Sequence, residues 1–306
     1  MDKFAGRVPG ASAIGESADS NPAFRPVRGL RNPAATAGRI SPRGAAGAAR
    51  FGWPLRPGTG TNRPVLPHPT LAAHYASLEA KPGYVNNLFD KGARHYDGIV
   101  DWGFLRSGAF YRRWVQQRYG LKKGDHLLDV ACGTGLVAVE AAKILGTAEN
   151  ITCLDPSAGM LAVARTKLAA HFLQARAEAM PLADNSFDFL TMGYALRHVT
   201  DLEVAFREYL RVLKPGGKLL ILEVTKPTGR IAAFLFRLYF ARIYPWLTGL
   251  FTRSRDAREM MRYYWETMDA CVPPASVLEA LRTAGFAEVR RNSALGLFSE
   301  YSGVKT

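Results

Sequence analysis

The chain has 306 residues, 48% of them apolar and 22% charged, enough to bury one substantial core with appendages. Its three cysteines, Cys132, Cys153 and Cys271, form no C-x-x-C pair and have no histidines at ligand spacing, so neither a disulfide framework nor a metal site is expected, and a reducing compartment is. The net charge of +14 is concentrated in residues 1–65, with ten Lys/Arg against three acids, and in residues 229–262, with seven Arg against Asp256 and Glu259; the remainder is close to neutral and has no basic stripe interleaved with aromatics, so nucleic acid is not an expected partner.

Residues 1–65 are rich in Gly, Pro, Ala and Arg and cannot bury enough surface to offset the entropy of ordering, so they read as a disordered tail. An Arg-rich, acid-poor start has the character of an organelle transit peptide, but Pro26, Pro33, Pro42, Pro54 and Pro57 interrupt any amphipathic helix. A translation start placed too far upstream accounts for the tail equally well. From Thr70 the pattern turns helical, and residues 66–120, aromatic-rich from Tyr84 to Tyr119, read as a helical leader or cap.

Residues 121–306 read as the main domain, with a helical lid insert at about 228–270. Short apolar runs at His126 to Ala131, Ile151 to Leu154, Phe172 to Ala175, Phe187 to Met192 and Lys218 to Val224 alternate with amphipathic stretches at Leu136 to Leu145, Ala158 to Ala169 and Leu202 to Leu213. That alternation predicts an α/β fold with a mainly parallel sheet and helices on both faces. Lys214-Pro215-Gly216-Gly217 and Ala284-Gly285-Phe286 end two helices. Glu288 to Arg291 and Leu295 to Val304 then read as an antiparallel closing hairpin turning near Asn292.

Leu127-Leu128-Asp129-Val130-Ala131-Cys132-Gly133-Thr134-Gly135 places a buried strand before a glycine-rich turn and a helix. Gly133 and Gly135 let the backbone approach a ligand closely. A dinucleotide fold uses this element to hold pyrophosphate, but Asp129 at the strand end would repel phosphate and attract the ammonium of an amino acid. Asp155, ending the next strand about twenty residues on, can accept hydrogen bonds from ribose hydroxyls. Pro156 and Met160 can flank an adenine, and Ala177 can offer its backbone N–H to the base edge. Sulfonium, amino acid, ribose and adenine together describe S-adenosylmethionine, with Asp129, Ala131, Gly133, Thr134, Gly135, Asp155, Pro156, Met160 and Ala177 as the candidate binding set.

Asp129 to Gly135, Asp155 to Met160, Ala177-Glu178-Ala179-Met180-Pro181, Ser186-Phe187-Asp188, Leu196-Arg197-His198-Val199-Thr200-Asp201 and Arg211 to Gly217, with Tyr96-Asp97 upstream, resemble the ubiquinone/menaquinone-biosynthesis C-methyltransferase family of class I methyltransferases. The likeness runs from about Val85 to Lys305. It implies a Rossmann-like fold with a seven-stranded, mainly parallel sheet and an antiparallel C-terminal hairpin. It also implies cofactor contacts at Thr134, Asp155, the Arg176-Ala177 pair and Gly193. Arg176 stands where the family has Asp or Asn, Gly193 where it has Ser, and His198 where it has Asn.

Methyl transfer is an in-line displacement in which the protein mainly positions and desolvates the partners. A carbon acceptor must be electron-rich, as a hydroquinone or phenol becomes when its hydroxyl loses a proton or its developing charge is stabilised. Arg197 is the candidate for stabilising a phenolate, with His198 or Tyr96 assisting proton removal. Each also has a plainer role: Arg197 as an ion-pair donor, His198 as a wall residue, Tyr96 as packing beneath the leader.

Residues 229–251 are long enough to raise a membrane-spanning question, but Arg230, Arg237 and Arg242 would each cost about 2.5–3.5 kcal/mol near a bilayer centre. An apolar face of Ile231, Phe234, Leu235 and Leu238 suits a peripheral interfacial helix or a lid over a prenylated tail. The leading expectation is C-methylation of a lipid-like quinol by a cytoplasmic, membrane-associated enzyme, or an organelle-matrix one if the tail is a transit peptide. Methylation of a phospholipid amine or small phenolic metabolite, and a non-catalytic cofactor-binding partner in a biosynthetic complex, stay open, as does a homo-oligomer.

Overall fold

The computed structural model describes residues 64–103 and 107–306, so nearly all of the tail read at 1–65 lies outside the described residues. Seven strands follow in chain order: β1 (Leu127–Val130), β2 (Ile151–Asp155), β3 (His171–Gln174), β4 (Phe187–Gly193), β5 (Leu213–Val224), β6 (Ala287–Ala294) and β7 (Phe298–Val304). They form one sheet in the order β3-β2-β1-β4-β5-β7-β6. The first five run parallel, and β7 lies antiparallel between β5 and β6. The sheet expected from the sequence is therefore the one observed.

Parallel strands need long crossovers, and these place helices on both faces. Alternate residues feed different cores: Leu128, Leu190 and Ile221 meet α5 (Leu202–Val212) and α9 (Pro274–Ala284), whereas Leu127, Phe189 and Leu220 meet α2 (Gly108–Arg118), α3 (Leu136–Leu145) and α4 (Ala158–Arg165). A third apolar cluster lies between α1 (Lys81–Gly103) and the insert, which comprises α6 (Arg230–Leu238), a π-helical turn at Tyr239–Ile243, α7 (Tyr244–Thr252) and α8 (Arg255–Asp269).

Local chemistry explains most boundaries. Ser157 caps α4 by accepting from the Met160 N–H, Asp201 caps α5 by accepting from the Glu203 and Val204 N–H groups, and Ser254 caps α8 by accepting from Ala257. Pro245 sits in the first turn of α7, where a missing N–H is tolerated, and a π-helical turn precedes that helix.

Three boundaries differ from expectation. The leader becomes helical at Lys81 rather than Thr70, with Pro82 in a first turn where a missing N–H is tolerated. Lys214–Gly217 interrupts the β4–β5 ladder as a bulge inside one long strand rather than preceding a short one. The closing hairpin turns at Leu295-Gly296, not near Asn292. Both of those residues have positive φ, at 55° and 68°, and the Leu297 N–H returns to the Ala294 carbonyl, the two-residue turn whose twist matches the strands.

Candidate active site

The chain leaves β1 toward β2 on one side, while β4 lies on the other. Loops leaving the carboxyl ends of β1 and β4 therefore diverge and open a crevice. A cavity occupies it, at the place where open α/β sheets bind their ligands. Its walls are the turn Ala131-Cys132-Gly133-Thr134, Leu136 and Val137 of α3, Asp155 to Ser157 with Met160, Gly193 to Ala195, and His198. Asn86, Phe89 and Tyr96 of α1, Arg112 of α2 and Tyr264 of α8 close it.

The turn after β1 has positive φ at Ala131, Gly133 and Gly135, at 52°, 56° and 81°. A Cβ at Gly133 would meet no protein atom within 4 Å, so this backbone faces open space. Asp155 Oδ2 accepts from the Gly133 N–H at 2.8 Å, and Oδ1 accepts from the Ser157 N–H at 2.8 Å. Burial pushes the Asp155 carboxyl up to about 6, against the pull of those two donors.

Asp129 does not line the cavity and so departs from the direct ammonium contact expected of it. It is fully buried, its Oδ1 accepts from the Thr191 hydroxyl at 2.8 Å, and burial pushes it up to about 7. Gly135 also stands off the wall, packed against Ala164 of α4. Arg176 and Ala177 line a neighbouring pocket that shares Ala131, Pro156, Ala195 and His198 with the cavity. The Arg176 guanidinium turns away to the Thr200 hydroxyl at 2.8 Å and to Glu178 at 3.3 Å. Gly193 is explained by its neighbour: a Cβ there would lie 2.6 Å from Cγ2 of Val137, so serine does not fit while that valine is in place.

A third space, of about 400 Å3, adjoins the cavity and shares Tyr96, Arg112, Tyr194 and Tyr264 with it. Its other walls are mainly apolar, including Val100, Phe110, Trp114, Leu295 and Phe298.

Of the three catalytic candidates, Tyr96 stands at the junction of cavity and chamber, and burial raises its hydroxyl further above the usual phenol range. His198 lines the cavity between the Phe89 edge and the Tyr263 face. Burial, then Arg197 and Lys81, hold its imidazole well below its usual value. It is thus neutral and poorly suited to taking a proton, although Nδ1 is buried without a partner and can accept a hydrogen bond.

Arg197 does not reach the cavity. It is fully buried and ion-paired with Glu223, its Nε donates to the Thr267 hydroxyl at 3.3 Å, and its guanidinium lies 4.4 Å from the Tyr264 ring centroid. Burial alone would lower its basicity; the Glu223 carboxylate outweighs that and keeps it charged. The expectation that it contacts a substrate oxygen gives way to a structural one. It ties the segment after β4 to β5 and to α8.

The sequence reading missed Asn86, Phe89, Arg112, Tyr194 and Tyr264. Val85, Asn86, Phe89 and Tyr96 lie on one face of α1 at helical spacing, a signal that was readable. Arg112 and Tyr264 arrive from separate helices, and only packing brings them in.

The profile of the ubiE/COQ5 methyltransferase family matches residues 77–305. The ubiquinone/menaquinone biosynthesis C-methyltransferase UbiE of Shewanella halifaxensis is 33% identical over 76% of this chain and 95% of its own length. That of Hahella chejuensis is 32% identical over 74% and 92%. Among solved structures, an S-adenosylmethionine-dependent methyltransferase from Thermotoga maritima, titled a possible histamine N-methyltransferase, superposes with a TM-score of 0.52 at 20% identity, covering 72% of this chain and 99% of that one. Phosphoethanolamine N-methyltransferase 2 of Haemonchus contortus, in complex with S-adenosylmethionine, gives 0.52 at 19% identity over 76% and 60%. These two likenesses concern the fold.

Removing one member of a buried ion pair strands the other, so Glu223→Leu is expected to lower unfolding free energy by about 3–5 kcal/mol. Arg197→Met combined with Glu223→Leu should recover most of it. Urea denaturation measures both, and a single-variant loss below about 1 kcal/mol, the size of an exposed pair, would remove the structural role from Arg197.

Proposed function

The chain belongs to the ubiE/COQ5 methyltransferase family and is an S-adenosylmethionine-dependent methyltransferase; from that premise we propose that it methylates a ring carbon of a quinol or related phenol bearing an apolar tail. The observation that carries this reading is the large apolar chamber opening onto the cofactor cavity at Tyr96, Arg112, Tyr194 and Tyr264. A polar head can reach the junction while an apolar body fills the chamber, and the relatives are named as C-methyltransferases of ubiquinone and menaquinone biosynthesis.

The residues present fit the cofactor. Asp155 would accept from the ribose hydroxyls, Pro156 and Met160 would flank the adenine, and the Arg176-Ala177 backbone would meet the base edge. Ala131, Gly133, Thr134 and Gly193 form the close-approach surface. Bound there, the cofactor supplies an electrophilic methyl group on a sulfonium sulfur. The protein excludes water from it with α1 and α8, which matters because charge transfer is sensitive to competing solvent. Tyr96, kept protonated by burial, would donate to the acceptor oxygen and stabilise its ionised, electron-rich form; the hydroxyl proton goes to water and is regained when the methylated ring carbon gives up its own, and the cofactor leaves as its neutral thioether. His198 accepts from the acceptor or from water at Nδ1.

The face foreseen on residues 229–251 is exposed: Ile231 by 78%, Phe234 by 64%, Leu235 by 55% and Leu238 by 41%, joined by Trp246, Leu250 and Phe251 on α7. Among the described residues no helix is long and apolar enough to cross a membrane. Apolar side chains beside Arg230, Arg237 and Arg242, whose stems can lie along the surface with their charges in water, support peripheral attachment to an anionic bilayer, where a tailed quinol resides.

Incubated with S-adenosylmethionine and a membrane lipid extract, the protein should yield a quinone lipid heavier by one methylene, with the new methyl on a ring carbon by mass spectrometry. Methylated phospholipid headgroup instead would end the quinol reading. Because an ionised Asp155 accepts from ribose better than a neutral one, cofactor affinity should rise with pH through about 6 and level off above it. Calorimetry with S-adenosylhomocysteine tests this, with Asp155→Asn flattening the rise and costing about tenfold in affinity. Binding to anionic phosphatidylglycerol vesicles should weaken with salt and fall in Phe234→Ser/Leu238→Ser; unchanged binding would mean that protein, not lipid, covers the face.

A further inference from the structure

A second space lies between α1 and α7. Arg94, His95, Gly98 and Ile99, one and four residues apart along α1, form one wall of a groove of about 370 Å3, and Leu247 and Phe251 of α7 stand in the other. The groove shares no wall residue with the cofactor cavity or with the apolar chamber. Tyr96 and Val100, on the next face of α1, line that chamber, so one helix separates the two spaces. Gly98 keeps the groove open: a Cβ there would meet nothing within 4 Å, although glycine inside a helix costs about 1 kcal/mol relative to alanine.

The charge in this groove has one sign. No carboxylate lines it among the described residues. Asp90 and Asp97, the acids nearest Arg94 along α1, are engaged by Ser157 and Thr134 at the loops of the sheet. Arg94 makes no ion pair among the described residues; its Nε donates to His95 Nε2 at 3.1 Å, which orients the guanidinium and leaves both terminal nitrogens to a ligand. A guanidinium so presented matches the oxygens of a phosphate.

The opposite wall is apolar and continuous with the outside of α7. Phe251 belongs both to the groove and, with Trp246 and Leu250, to the exposed apolar surface of that helix. A helix whose apolar face sinks into the boundary of a bilayer carries its flank at the level of the lipid headgroups, which is where the groove lies. A cation on one side and hydrocarbon on the other describe a ligand in which phosphate is joined to acyl chains. We propose that the groove between α1 and α7 binds an anionic phospholipid, its phosphate on Arg94 and the start of its chains against Leu247 and Phe251. The proposal rests on the reading of α6 and α7 as a membrane-facing surface and adds a lipid site to the helix that roofs the cofactor cavity.

The test is calorimetric titration of the full-length protein with dihexanoyl phosphatidylglycerol, kept below its micelle-forming concentration, beside inorganic phosphate and phosphatidylglycerol vesicles. The monomeric lipid should bind, and inorganic phosphate at least roughly tenfold more weakly, because it lacks the apolar part. Arg94→Gln should weaken the lipid by roughly 10- to 100-fold, the factor of one charge-assisted contact. Gly98→Leu leaves the charge unchanged, favours the helix and fills the groove, and should weaken it by about tenfold or more. Arg230→Gln removes the same charge at the start of α6 and should stay within about twofold, as screening of separated charges requires. Equal losses in Arg94→Gln and Arg230→Gln, or no loss in Gly98→Leu, would reduce the effect to diffuse attraction and overturn the proposal; phosphate binding as tightly as the lipid would overturn the lipid assignment. Vesicle binding without binding of the monomeric lipid sinks the groove site and leaves the membrane-facing reading standing, whereas the monomeric lipid bound and vesicles ignored does the reverse.

Discussion

One buried carboxylate joins the two loops on which the site is built. Asp155 stands at the tip of β2, whose parallel register pairs Val130 with Leu154, so its side chain lies beside the turn that leaves β1. There it accepts from the Gly133 N–H on one oxygen and the Ser157 N–H on the other. A carboxylate in this position would prefer to be neutral because it is buried; the two N–H donors are what make its ionised form tolerable. The glycine turn and the start of α4 are therefore joined to each other through this carboxylate.

The roof is attached to the same loops. Asp90 of α1 accepts from the Ser157 hydroxyl at 2.5 Å and the Gly159 N–H at 2.8 Å, and Asp97 accepts from the Thr134 hydroxyl at 2.5 Å while pairing with Lys167. At its first turn, Lys81 donates to the carbonyls of Arg197 and Val199. Bonds with one charged partner are the stronger kind, so moving α1 away from the cavity means breaking contacts made by the glycine turn, by α4 and by the segment after β4 together. The leader is thus part of the site rather than a cover laid over it.

The positions that depart from the family pattern are each matched to a neighbour. Gly193 leaves room for Val137, the Arg176 side chain is taken up by Glu178 and Thr200, and His198 stacks on Tyr263 and meets Phe89 edge-on. The two buried arginines show how differently one residue type can be used. Arg197 is ion-paired with Glu223 and braces the protein, whereas Arg112 makes no ion pair among the described residues and lines a cavity wall.

Local pattern was enough for the sheet, its helices and the glycine turn after β1, because strand and helix periods and the Asp129 to Gly135 spacing are short-range properties written in consecutive residues. The sequence by itself also determined that residues 231–238 carry an apolar face. Tertiary structure alone decided which charges reach the cavity. Asp129 and Arg197, prominent in their motifs, are turned into the core by Thr191 and Glu223, while Arg112 and Tyr264 are brought in by α2 and α8 from far along the chain. The physical reason is that a side chain's access to a ligand depends on which partner competes for it, and partners from other elements leave no trace in the local pattern.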